Sequence, residues 1–207
     1  MFSKNVIPMK RALILIIVLI SSTSLWAQTT ANEWLAALQR TLGSNYATNM
    51  VLLGEETGGM MGYFVVDGDS YYLTLGAMEV YCDGKLRYEV NNDRKEVVED
   101  RANLEEGDIL TNPTRAFDFV SDVYNLAIDS ATASGATIRI TPKSDVAEVT
   151  IYIDVVKRGS TVLPERVLYD YDGVGYTIEL GIIDGTPDAT PKWNKADYRG
   201  YDIVSFL

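Results

Sequence analysis

Between Met60 and Arg101, short apolar runs are punctuated by turn residues at close intervals, which most restricts how this chain can fold. From Gly62 it reads GYFVVDGDSYYLTLGAMEVYCDGKLRYEV, then NNDRKEVVED. Asp67-Gly68 and Asp83-Gly84 interrupt alternating apolar runs, a strong local signal for tight hairpins, because such turns need positive φ at their central residues. Gly76 and the cluster Asn91-Asn92-Asp93 supply two further turns. The expected result is five short strands, 60–66, 70–75, 77–82, 85–90 and 95–100, forming an antiparallel meander. One face of it must be covered.

Upstream, ANEWLAALQRTL (31–42) places Trp34, Leu35, Leu38 and Leu42 on one helical face, with Asn32 as N-cap and Gly43 as stop. A strand is expected over 46–54, and a glycine turn at Gly58-Gly59. Downstream, Asn112-Pro113 opens a second predicted helix, PTRAFDFVSDVYNL, because proline suits the first helical position. Its apolar residues Ala116, Phe117, Phe119, Val120, Val123 and Tyr124 would lie across the open face of the sheet. Further strands are expected over 126–132, 137–142, 148–157, 162–171 and 174–184, the last two joined by Asp172-Gly173. A polar loop, 185–195, leads to a short closing strand within 196–207. The fold class is α+β and mainly β. A curved antiparallel sheet of about eleven strands should roll into an incomplete β-barrel, with the helices covering its concave face.

The first 27 residues read as an export signal, making residues 28–207 a single domain. Lys4, Lys10 and Arg11 form a basic start, and 12–20 is an apolar run too short to cross a bilayer as a helix. Cleavage is expected between Ala27 and Gln28, and either Met1 or Met9 would serve as the start. Removing the three cations leaves 15 basic against 29 acidic residues, a net charge of −14 instead of −11. Such a chain offers no phosphate track, so nucleic acid is not an expected partner. The single cysteine, Cys82, cannot form an internal disulfide, and its period-two spacing with Met78 and Val80 makes it a small buried hydrophobe.

The chain contains no histidine, which removes histidine-based triads and histidine metal sites. No enzyme activity, cofactor or metal is expected. Asp67/Asp69 and Asp170/Asp172 read as turn residues, lacking the spaced ligand set of a calcium loop. An apolar interior remains. Phe64, Val66, Leu73, Leu75, Met78, Val80, Leu86, Tyr88, Ile151, Ile153, Ile178 and Leu180 are the strand positions expected to face it, along with Val149. Phe117, Val120 and Tyr124 are expected to close it from the second helix. Met60, Met61 and Met78 are unbranched and adaptable, suited to a surface that accepts variable chains.

The order of these pieces resembles the periplasmic outer-membrane lipoprotein carrier family (LolA-like). The matching residues are Gly62-Tyr63-Phe64 with Gly68-Asp69, Tyr72-Leu73, Val80 to Lys85 followed by Tyr88, and Glu96-Val97. Further on they are Asn112-Pro113 with Phe117, Ile138 to Pro142, Ile151, Ile153, Asp154, Leu163-Pro164, Asp172-Gly173 and Tyr176 to Ile178. Val66-Asp67 and Ser70-Tyr71 stand where the family often has a basic residue and a proline. The resemblance implies an incomplete barrel with helices over its mouth and a lipid-binding cavity for acyl chains. It implies a monomeric periplasmic carrier of acylated lipoproteins, loaded by an inner-membrane exporter and unloaded onto an outer-membrane acceptor. The alternative on the same fold is a periplasmic sensor or interaction module that uses the cleft for a protein or another lipid partner.

Overall fold

The computed structural model describes residues 30–54, 58–105, 108–119, 122–144 and 149–207. The expected export signal, 1–27, lies outside them. Helix α1 (Ala31–Leu42) is followed by β1 (Asn45–Gly54), β2 (Met60–Asp67), β3 (Ser70–Leu75), β4 (Met78–Cys82), β5 (Leu86–Asn91) and β6 (Glu96–Arg101). Then come β7 (Tyr124–Ala131), β8 (Gly135–Pro142), β9 (Val149–Arg158), β10 (Thr161–Tyr171), β11 (Val174–Leu180) and β12 (Asp202–Ser205). There are thus twelve described strands against about eleven expected, in one curved, unclosed sheet ordered β12-β6-β5-β4-β3-β2-β1-β11-β10-β9-β8-β7. Two meanders, β1–β6 and β7–β11, meet along the β1–β11 seam, and β12 returns to lie parallel to β6.

Two of the turns show how the hairpins are made. Asp67 pairs with Ser70, so the two-residue loop is Gly68-Asp69, with Gly68 at φ 62°. That is the glycine-first form of tight turn, one residue later than the Asp67-Gly68 loop expected. At Asp172-Gly173 both central residues have positive φ, 56° and 86°, as an Asp-Gly loop should. The Asp170 carboxylate accepts from the Gly173 N–H at 2.7 Å, so it serves the turn.

Helix α1 forms as its spacing predicts. It buries Trp34, Leu35, Leu38 and Leu42 and packs on β10, β7 and β8. Each such side chain contributes on the order of 1.5–3 kcal/mol on leaving water.

The second predicted helix does not form among the described residues. Asn112 and Pro113 do start a helical turn, with the Asn112 side chain accepting from the Thr114 N–H. Of the described residues in that stretch, however, Pro113–Arg115 alone is helical, as a 3₁₀ turn, and Tyr124 already opens a strand. Phe117 and Phe119 are both buried, with Asp118 exposed between them. On an α-helix residues two apart point about 200° from one another, so both rings reach the same apolar face because the chain leaves the helix through a turn, with the Asp118 N–H on the Arg115 carbonyl. Among the described residues α1 is therefore the one α-helix over the sheet.

The sheet carries apolar layers on both faces. Facing pairs share a side, so the Tyr46–Val66–Tyr71–Cys82–Arg87 row defines the concave face and the Ala47–Val65–Tyr72–Tyr81–Tyr88 row the outer one. On the outer face Val65, Val90 and Val97 are buried beneath the tail, residues 181–207. The tail runs beside β1, where the Asp184 and Ala47 backbones exchange hydrogen bonds. It then stacks Trp193 on Tyr88 with centroids 4.1 Å apart and sets Tyr198 against Tyr81.

Glu79 fastens this arrangement. Its carboxylate accepts from Tyr81 at 2.7 Å, Tyr198 at 3.0 Å, Tyr72 at 3.2 Å and Asn92 at 2.7 Å. Burial pushes its pKa up, but those four donors outweigh burial and hold it below the ordinary 4.5. A carboxylate with a depressed folded pKa adds stability above its unfolded pKa and loses it as pH falls through the folded value. Glu79→Gln is accordingly expected to lower the urea midpoint at pH 7 and to lose less on acidification to pH 3 than the parent. Parallel pH curves for the two proteins would show that Glu79 does not fasten the tail.

Candidate functional site

The concave face gathers most of the expected cavity residues. Phe64, Val66, Leu73, Leu75, Val80, Ile151, Ile153 and Ile178 are buried on it, while Met78, Tyr124, Leu180 and Val149 are half-buried on the same side. Phe117 is buried against it from the segment 108–119, and Val120 lies outside the described residues. Leu86 and Tyr88 are a correction. Tyr88 faces Tyr81 and Leu86 faces Arg101, so both belong to the outer face, and β5 turns Arg87 and Glu89 inward. The alternation Leu86, Tyr88, Val90 is apolar because the tail covers it. Trp193, Tyr198 and Tyr201, clustered in an otherwise polar stretch, were the sequence signal for that cover.

Segment 108–119 lies over the concave face in place of the predicted helix. It buries its own Ile109, Ala116, Phe117 and Phe119. Its polar backbone is held by side chains of the face it covers. Tyr71 donates to the Thr111 carbonyl at 2.8 Å, Tyr46 to the Pro113 carbonyl at 3.1 Å, and Gln39 of α1 to the Phe117 carbonyl at 2.8 Å. Tyr176 donates to the Asp108 carboxylate at 2.7 Å, and the Tyr169 oxygen accepts from the Ile109 N–H at 3.2 Å. Burial pushes the Tyr46, Tyr169 and Tyr176 phenols far up, with Asp108 adding to the last two, so these hydroxyls stay protonated. Behind Tyr71, the Arg87 Nε donates to its hydroxyl at 3.3 Å, and the guanidinium pairs with Glu89 at 2.9 Å. Burial works against the Arg87 charge, but Tyr71 and Glu89 overcome it and raise its pKa.

None of these tyrosines, nor Gln39, was among the expected site residues. Their one visible signal was phase, since Tyr46 and Tyr71 sit in step with the apolar positions of β1 and β3.

A cleft of about 330 Å³ opens at the seam between α1 and this segment, lined by Leu42, Tyr46, Val66 and Phe117 together with the charged Asp69, Arg115 and Asp118. A groove of about 510 Å³ lies elsewhere, at the end of β9–β11, and its walls carry Asp154, Arg158, Glu165, Arg166 and Glu179. Apolar residues, Val156, Leu163, Leu180, Ile182 and Ile183, share those walls. Among the described residues no group of three or more His, Cys, Asp or Glu side chains is placed to hold a metal ion. No described helix is long and apolar enough to cross a membrane.

No family model and no curated protein matches the chain. Solved structures do. It is similar to an uncharacterized conserved protein from Thermus thermophilus with a TM-score of 0.52 at 10% identity, covering 84% of this chain and 98% of that one. That likeness places the chain in the same fold. Others include a LolA superfamily protein from Nitrosomonas europaea, with a TM-score of 0.39, 7% identity and coverage of 82% and 97%. A DUF1329 family protein from Desulfovibrio piger has a TM-score of 0.40, 9% identity and coverage of 82% and 96%. Both scores are too low to bear on function.

Proposed function

We propose that this chain is a non-enzymatic periplasmic carrier that shields the acyl chains of lipoproteins between an inner-membrane exporter and an outer-membrane acceptor. The observation that carries the reading is the apolar concave face closed by an irregular segment held through its carbonyls, with a cleft at the seam. The sequence resemblance to lipoprotein carriers supports it. Transfer of this kind needs no cofactor, only a closing segment that exchanges between states and tighter binding by the acceptor. Sequestering an acyl chain is worth about 0.8 kcal/mol per methylene, enough to draw it out of water.

The inward side chains of the described residues are packed against one another, which also suits the second reading, an interaction module with a filled core. Native mass spectrometry of the protein purified after export separates the two. Bound lipid, or uptake of a triacylated peptide on incubation, is expected for the carrier. A bare mass after both would sink the carrier and leave the interaction module.

A further inference from the structure

The closing segment itself reports what it stands in for. Four side chains around it act toward it as donors: Tyr46, Tyr71, Gln39 and Tyr176. Their acceptors are three backbone carbonyls and one carboxylate. The Tyr169 hydroxyl accepts from the Ile109 N–H and the Asn103 carbonyl from the Asn112 amide, and the hydroxyl can turn to donate. Below these polar contacts Ile109, Pro113, Ala116, Phe117 and Phe119 are buried in the concavity, about twenty-two side-chain carbons in a close-packed interior. Helix α1 does not share this pattern. It satisfies its own backbone by helical hydrogen bonds, and the strand β10 meets its side through the Val162 N–H on the Thr41 hydroxyl.

A ligand that displaces the segment must refill what it leaves. Unfilled apolar space in a packed core destabilises, and so do buried donors left without acceptors. About twenty-two carbons hold one long acyl chain and fall short of two; three chains of about sixteen carbons each would need more than twice that space. The displaced carbonyls and carboxylate call for oxygen acceptors at the chain's head, met by Tyr46, Tyr71, Gln39 and Tyr176, with the Arg87 cation behind Tyr71.

We infer that the concavity takes a single long acyl chain ending in oxygen acceptors, in the place of residues 108–119. This rests on the carrier reading of the face and narrows its cargo. A free fatty carboxylate and a single-chain ester share the required chemistry.

The test is titration of the exported protein with palmitate, with monopalmitoyl lysophosphatidylcholine and with hexadecyltrimethylammonium, all below their micelle concentrations, followed by native mass spectrometry and amide exchange. One acyl chain per protein is expected, with faster exchange concentrated in 108–119. The cation of equal chain length should bind at least about tenfold more weakly, because it offers no acceptor to the donors. Preference for palmitate or for the lysolipid identifies the source. Equal binding of the cation, or more than one chain per protein at saturation, overturns the inference. Uptake of a triacylated peptide with no uptake of either single-chain compound overturns it and leaves the carrier reading standing. If no acyl compound binds, both fall.

Discussion

Phe64→Ala is expected to remove about 3–5 kcal/mol of unfolding free energy, a large part of the roughly 5–15 kcal/mol that holds a domain together. Phe64 is fully buried in the middle of the concave face. It lies opposite Leu73 and sets its ring edge-on to Tyr46 at 5.9 Å. Its neighbours on β2 and β3 are fixed by the ladder and cannot collapse into the space, so the cavity term adds to the lost transfer energy. Met61, on the outer side of the same strand, is 74% exposed, and Met61→Ala should stay within about 0.5 kcal/mol. Urea unfolding of the two variants checks the assignment of faces. Similar losses for both would mean that the face pattern of β2 is wrong.

The second large effect runs in opposite directions for two measurements. Replacing Phe117 and Phe119 together by alanine is expected to lower stability by several kcal/mol. It is also expected to raise the apparent affinity for an acyl ligand by about tenfold or more. On the carrier proposal the closed segment competes with the ligand for one surface, and each 1.4 kcal/mol taken from closure is worth up to a factor of ten until the segment no longer closes. Ile153→Ala, on the same face but on β9, is the control, since it should lose stability without any gain in affinity. Affinity that falls along with stability in the double variant would show that Phe117 and Phe119 belong to a permanent core.

What could be read ahead of the structure follows the range of the interactions. The five hairpin-linked strands from Met60 to Arg101 and helix α1 are set by neighbours a few residues apart, so alternation, turn residues and the Trp34/Leu35/Leu38/Leu42 stripe were enough. Asn112 and Pro113 announced a helical start correctly. The chain leaves the helix because a distant apolar face draws in Phe117 and Phe119 together, and no local pattern records that face. The misplacement of Leu86 and Tyr88 has the same origin. Their alternation was visible, but the side it points to is decided by Trp193, Tyr198 and Tyr201, about a hundred residues later. The tyrosine donors escaped notice because a phenol in an apolar phase reads as core until its partner carbonyl is known.

The seam between β1 and β11 carries a kinetic consequence. Within each meander every strand pairs with the next one along the chain, so those ladders close short loops and can zip hairpin by hairpin. Joining them brings Met50 to Leu180 and Leu52 to Ile178, across more than a hundred residues, and β12 must find β6 over a similar span. Such closures lose chain entropy before their contacts form, and they slow folding. The docking of two preformed half-sheets is therefore the step expected to limit the folding rate. Until they join, β1 and β11 each present a bare strand edge, and those two edges are where a newly made chain is most exposed to mispairing with another copy of itself.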